Sequence, residues 1–178
     1  MIRDNKSNRV RVVVTGLGAM SPLGESPESL WNGLVNGKSG IDKMKITDST
    51  EFPCKFSGEV LDFDPTSYMD RKEARRMGRF SQFAVAAAQQ ALNHSGLDLD
   101  NEDRERIGVV LGNGSGGYPE TEQAVRTLVG RGGMKINPFY LPTMLCNMAA
   151  ANVSRLNGLY GYTNTIVTAC AAGTQGIG

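Results

Sequence analysis

The sequence predicts a layered α/β fold with a mixed, largely parallel sheet, and three features carry that prediction. β-branched runs occur at 9–16 (RVRVVVTG), 106–113 (RIGVVLGN) and 162–168 (YTNTIVT). Long alanine-bearing segments lie between them, and glycines punctuate the joins. Strands alternating with helices of this length pack as helix layers against a parallel sheet.

Taken in order, the run 9–16 has the unbroken apolar character of a strand buried on both faces. A GLGAMSPLG loop follows, and Ser26 before Pro27 and Glu28 opens a helix, with a capping hydroxyl and proline in the first turn. Gly37 or Gly40 ends it. Residues 55–60 form a short strand. The stretch from Asp64 holds short helices and then a long one over about 79–94, which Gly96 stops in the left-handed conformation. After the strand at 106–113, YPETEQAVRTLV reads as a helix, and 142–158 as a single alanine-rich helix stopped by Gly158. The strand at 162–168 closes the order.

Composition narrows the function classes. The 178 residues suffice for one core that buries roughly 70% of the unfolded surface, so residues 1–178 are expected to form a single domain. With 40% hydrophobic and 21% charged residues the chain falls among soluble globular proteins. Its longest apolar stretches, 83–88 and 107–111, are far short of the ~20 residues that span a bilayer. The charged start MIRDNKSNRVR lacks a secretory apolar segment, so a cytoplasmic location with no membrane contact is expected. The net charge of +1 hides an asymmetry: no acidic residue follows Glu122, and the first 122 residues hold 15 basic against 18 acidic groups. That imbalance is too small to imply nucleic-acid binding. Cys54, Cys146 and Cys170 show no CxxC or CxxH spacing, which argues against a disulfide framework and a metal site.

Gly112-Asn113-Gly114-Ser115-Gly116-Gly117 satisfies G-x-G-x-x-G between a strand and a helix, as a dinucleotide loop would. Such a site also wants an acidic residue about twenty positions later for the ribose. None exists from 123 to 178, so the loop is read as a turn that needs glycine.

Cys170 stands where the last strand gives way to small residues, at the expected first turn of a helix. Unpaired amides and the positive helix end would favour its thiolate, the nucleophilic form. Context alone leaves a nucleophile and a small buried hydrophobe equally open. Cys54 and Cys146 fit the inert, buried reading, with Cys146 on an apolar helix face.

Six stretches resolve the choice: RVVVTGLGAMSPLG, WNGLVNGKSGI, RKEARRMGRFSQFAVAAAQQAL, RIGVVLGNGSGG, INPFYLPTMLCNMAA and IVTACAAG. Together, and in this order, they resemble the N-terminal half of the elongating β-ketoacyl-[acyl-carrier-protein] synthases, synthase II especially. The resemblance implies a thiolase-like fold, and it makes Cys170 the nucleophile that carries the growing acyl chain. It also implies a fatty-acid condensing enzyme that needs no cofactor of its own. Its acyl and malonyl substrates arrive on the phosphopantetheine of acyl carrier protein, and its complete form is a homodimer paired through the strand at 162–168.

Arg71, Lys72, Arg75, Arg76 and Arg79 recur at helical spacing, which alone suits a solvated face. The resemblance assigns Lys72, Arg75 and Arg76 to carrier-protein docking. It places Ser115 beside the acyl pocket, where relatives often carry a bulkier aliphatic residue, so no chain-length preference follows. Phe139, Met144 and Met148 fit the pocket, the dimer neighbour or ordinary core equally. The family's two catalytic histidines belong to its second half. His94, the one histidine here, falls at a helix C-terminus and suits a capping role. The chain is therefore expected to stop within the helix that Cys170 opens and not to complete condensation alone. A polyketide ketosynthase and a non-catalytic carrier-binding or assembly fragment are the competing readings.

Overall fold

The computed structural model describes residues 11–178. Helix α1 (Pro27–Val35) begins as its sequence predicts. The Ser26 hydroxyl accepts from the Ser29 amide at 3.1 Å, and the Ser29 hydroxyl accepts from the Ser26 amide at 3.1 Å, a reciprocal capping box. Beyond the turn at Gly37, β1 (Asp42–Lys43) and β2 (Phe56–Ser57) pair antiparallel. Helix α2 (Arg71–Ala74) is a single turn, and α3 (Arg79–Ser95) is the longest helix among the described residues. Gly96, at φ 66°, ends α3 in the left-handed conformation that glycine adopts without Cβ strain.

The central unit is β3 (Val109–Gly112) beside β4 (Thr163–Ile166), a parallel pair in the register Val109 to Thr163 through Gly112 to Ile166. Three helices form the connection between them. They are α4 (Tyr118–Arg131), α5 (Tyr140–Met144) and α6 (Met148–Asn157). A parallel pair needs such a crossover, because a tight turn can join only antiparallel strands. Helix α6 lies on the pair and on α3, and Met77, Val85, Val109, Ala150, Val153 and Leu159 fill the space between them. Ala86 of α3 and Ala149 and Ala150 of α6 are fully buried, their small side chains suiting close packing. After β4 the chain makes a 3₁₀ turn, Ala169–Ala171, and enters α7 (Ala172–Ile177).

Two elements depart from the sequence reading. The run 9–16 is not a strand over its described part; residues 9 and 10 lie outside the described residues. Val12 and Val14 are exposed, because a strand buried on both faces requires covering layers and no described element supplies them. The residues that follow the run are tied to α3: the Leu17 amide donates to Nδ1 of His94 at 3.1 Å, and the Ala19 amide to Gln90 at 2.9 Å. Gly16 and Gly18 lie against the α3 backbone so closely that a Cβ on Gly18 would stand 1.9 Å from the Ala87 carbonyl oxygen.

The second departure is the helix expected at 142–158, which is broken into α5 and α6 at residues 145–147. The glycine loop takes the carbonyls that would have continued the helical ladder. The Gly117 amide donates to the Met144 carbonyl at 3.0 Å and the Asn113 side-chain amide to the Cys146 carbonyl at 2.8 Å. Cys146 therefore sits in the break, half-buried, and not on a helix face; Cys54 is exposed, not buried.

Glu73 of α2 accepts from Arg155 of α6, which fastens the short α2 turn to the core helix. That hydrogen bond holds the Glu73 carboxyl below the usual glutamate range, against a smaller opposing effect of burial. A carboxylate with a lowered folded-state pKa stabilises fully above its unfolded value and loses that contribution as pH falls through the folded value. We expect Glu73→Gln to cost under about 1 kcal/mol at pH 7, as befits a partly exposed pair. It should also flatten the acid side of the stability-against-pH curve, read by urea unfolding from pH 7 to 3. An unchanged acid limb would show that the pair contributes nothing.

The α3 contact gives a second expectation. Gly18→Ala should destabilise by roughly 1–3 kcal/mol through overpacking. Gly130→Ala, at a helical position with nothing within 4 Å of a new Cβ, should be neutral or slightly stabilising. Equal urea midpoints for the two variants would contradict the close approach.

Candidate functional site

The site is built where β4 ends. Hydrogen bonding to β3 holds the chain through Ile166, and one further bond, from the Asn113 amide to the Ile166 carbonyl at 2.9 Å, carries the pairing into the glycine loop. Thr168 is followed by Ala169 at φ 50°, the one non-glycine residue with positive φ among the described residues. For alanine that conformation costs roughly 1–2 kcal/mol, because Cβ crowds the following carbonyl. Such strain persists only where the flanking structure imposes it. Both flanks here are fixed. Upstream is the β3–β4 ladder, and downstream Ala172 is 2% exposed, seated against the end of β3.

Cys170 occupies the middle of this turn and is exposed. It was expected at the first turn of a helix. It lies instead in the 3₁₀ turn that leads into α7, whose first residue is Ala172. The Ala171 amide is already used, donating to the Thr168 carbonyl at 3.1 Å. The Thr168 hydroxyl donates to Oε1 of Gln175 on α7 at 2.6 Å, closing a loop around Cys170. A thiol presented on a bent turn, with alanines on both sides, is open to a carbonyl carbon and sterically unhindered.

The glycine loop stands beside this turn. A Cβ on Gly112 would lie 2.0 Å from the Ala172 carbonyl oxygen, so α7 can pack at its observed depth only against glycine. Gly116 takes φ 98°, also a glycine conformation, and lies against Cys146 in the α5–α6 break. The structure thus brings the Ser115 loop and the Cys170 turn onto the adjoining strands β3 and β4. The Ser115 side chain itself is exposed. The turn reading of G-x-G-x-x-G fits this arrangement, in which Gly112, Gly116 and Gly117 serve close backbone contacts.

The cationic residues divide. Ala74 and Met77 are buried, which turns Lys72, Arg75 and Arg76 outward. Together with Arg71, Asn137 and Phe139 they frame an open hollow of about 430 Å³. The Arg76 guanidinium lies 4.8 Å over the Phe139 ring, a cation–π contact that fixes its direction. Phe139 therefore belongs to this hollow. Arg79, although at matching helical spacing, turns inward: it donates to the Val60 carbonyl at 2.5 Å and stacks on Phe63 and Phe83. A neighbouring cavity of about 480 Å³, lined in part by Arg75, Arg131, Lys135 and Glu120, extends the basic surface towards α4. Neither hollow includes Cys170 or Ser115.

His94 is exposed in the last turn of α3, where its Nδ1 accepts the Leu17 amide. Among the described residues no group of three His, Cys, Asp or Glu side chains could hold a metal ion, and no helix is long and apolar enough to cross a membrane. Sequence reasoning missed the Thr168–Gln175 bond and the positive φ of Ala169. Neither residue type signals such a role, and only the folded turn shows them meeting.

Proteins named 3-oxoacyl-[acyl-carrier-protein] synthase 2 are 45% identical over 168 residues in Vibrio harveyi and 44% in Synechocystis. The one from Staphylococcus aureus strain MRSA252 is 39% identical over 172 residues. These alignments cover 94–97% of this chain and only 40–42% of the relatives, so the chain spans about two-fifths of their length. Among solved structures, a β-ketoacyl synthase from Burkholderia phymatum superposes with a TM-score of 0.75 at 29% identity, over 93% of this chain and 41% of that one. A complex of a type II polyketide acyl-carrier protein with its ketosynthase, bound to a hexaketide, gives a TM-score of 0.80 at 28% identity, over 96% of this chain and 45% of that one. The fold is therefore the thiolase-like α/β fold of the ketosynthases. The family profile described as "Beta-ketoacyl synthase, N-terminal domain" matches residues 9–178, and the chain belongs to that family.

Proposed function

We propose that this chain provides the acyl-accepting and carrier-docking part of a 3-oxoacyl-[acyl-carrier-protein] synthase of fatty acid elongation. The observation that carries the reading is Cys170, exposed on a strained turn at the exit of β4, in a chain 39–45% identical to proteins of that name. In the proposed first step the Cys170 thiolate attacks the acyl thioester carbonyl. A new C–S bond forms, the phosphopantetheine sulfur leaves as a thiolate, and that thiolate takes up a proton. Malonyl carrier then loses carbon dioxide. Its carbanion attacks the Cys170 thioester, which forms the C–C bond and frees the Cys170 thiolate. Covalent capture divides one difficult step into two easier ones.

Decarboxylation needs charge stabilisation at the malonyl thioester carbonyl. His94 is occupied as the acceptor for Leu17, at the far end of α3 from the docking hollow, so we assign that role to histidines outside residues 1–178. Lys72, Arg75 and Arg76 meet acyl carrier protein in this reading, supported by their outward placement and by the carrier protein bound to the ketosynthase of the polyketide complex. Ser115, on the loop adjoining Cys170, borders the acyl chain, and no cofactor beyond the carrier's phosphopantetheine is invoked. The complete enzyme is a cytoplasmic homodimer, with β4 paired across the interface. Among the described residues β4 is bonded on one edge only, to β3.

A polyketide ketosynthase is the second reading, favoured by the structural likeness at TM-score 0.80. The higher identity of the fatty acid relatives places it second. If the chain acts only as a carrier-binding or assembly part, Cys170 has no role.

Incubation with acyl-carrier-protein thioester should add one acyl mass to the chain, and Cys170→Ala should abolish the addition. Acylation that survives this substitution would remove Cys170 from the reaction. Lys72→Glu with Arg76→Glu should slow transfer from acyl carrier protein by about tenfold or more at low salt, with the deficit shrinking as salt rises. Transfer from a small acyl thioester should be spared. Equal loss with both donors would rule out docking at this surface.

A further inference from the structure

We infer that Thr168 and Gln175 act as a pair of positioning residues for Cys170. The inference rests on the reading of Cys170 as the acyl acceptor and extends it to two side chains that neither the family resemblance nor the comparisons assign.

Three observations converge. Ala169 holds φ 50° without being glycine, so the conformation is imposed from outside the residue. Thr168, directly before it, and Gln175, in α7, are joined by a 2.6 Å hydrogen bond that spans the turn and encloses Cys170 in sequence. Both partners are exposed, so the bond fills no core space; what it does is lock the relative placement of strand exit and helix. The remaining restraints lie at the outer ends. β4 is held to β3, and α7 rests on Gly112 through Ala172. Between those anchors the Ala171 to Thr168 backbone bond fixes the turn's width but not its tilt against α7. The β3–β4 ladder and the Ala172 seat keep Ala169 at positive φ, but without the Thr168–Gln175 bond α7 can tilt on that seat, and the tilt swings the Cys170 side chain away from its presented direction. Neither residue touches the reacting atoms; the effect reaches the reaction through the direction of the Cys170 Sγ.

The test follows acylation of Cys170 in the full chain by a soluble short-chain acyl thioester, using intact mass against time and donor concentration. Cys54, exposed and remote in sequence, serves as an internal reference through its alkylation by iodoacetamide. Thr168→Val and Gln175→Leu should each lower the maximal acylation rate roughly 10- to 100-fold, as a misplaced reacting group does, with donor half-saturation little changed. The double variant should be no slower than either single one, because the bond is lost once. Thr168→Ser, which keeps the hydroxyl, should recover most of the rate, and Cys54 alkylation should be the same in all four variants. A parent chain that acylates while Thr168→Val and Gln175→Leu match its rate would overturn the pairing and leave Cys170 as acceptor. Additive losses in the double variant, or no recovery in Thr168→Ser, would equally overturn it. A parent chain that never acylates would remove the acceptor reading and this inference together.

Discussion

The structure depends on the absence of one side chain, at Gly112. The carbonyl of Ala172 comes so near the Gly112 Cα that a Cβ would stand at 2.0 Å from its oxygen. That approach lets α7 lie across the end of β3. It thereby fixes where the turn carrying Cys170 must begin and end. Parallel pairing of β3 with β4 brings the two strand ends level, and the glycine loop continues from one of them. Gly112 is therefore less a loop residue than the point where sheet, Cys170 turn and loop share one packing contact. Its neighbours reach to the α5–α6 break, the Asn113 side-chain amide to the Cys146 carbonyl and the Gly117 backbone amide to the Met144 carbonyl, and so fix Cys146 and the start of α6 relative to the same point.

Much of the architecture could be read from sequence because its signals were local. Ser26-Pro27 at a helix start, Gly96 and Gly158 at helix ends, and the β-branched runs at 106–113 and 162–168 each act within a few residues, and each forms as expected. The misses have a common cause in contacts distant along the chain. The break at 145–147 exists because loop residues more than 25 positions earlier capture carbonyls a continuous helix would have used. Arg79 leaves the cationic surface because Phe63, Phe83 and the Val60 carbonyl offer it a better setting than water. Val12 to Val14 carry the pattern of a central strand, but pattern states only what an element could bury and not what is present to bury it.

The candidate site was legible to a different degree. Residue type and spacing made Cys170 and Lys72, Arg75 and Arg76 candidates but left a bland alternative open for each, and the family resemblance alone supplied their expected roles. Thr168, Ala169 and Gln175 could not be picked out, since threonine, alanine and glutamine occur everywhere and acquire meaning only through one dihedral angle and one hydrogen bond. Residue type thus marks candidate reactive groups, whereas the contacts that orient them emerge only from folded geometry.

The separation between the cationic hollow and the Cys170 turn has a consequence for how the two contribute. Arg71, Lys72, Arg75 and Arg76 project from a one-turn helix and the residues after it, and Glu73 ties that turn to α6. Cys170 is held instead by the β3–β4 pair and α7. Exposed cations raise the encounter rate with an acidic partner and are screened by salt. A bent turn fixes the direction in which Cys170 is presented, and ionic strength scarcely touches it. Because the two properties reside on elements anchored to different faces of the same core, the charge of one and the geometry of the other can vary independently. In the proposed reading the α2 surface can suit one carrier protein or another with the Cys170 turn unchanged, provided that α6, which both units pack against, keeps its place.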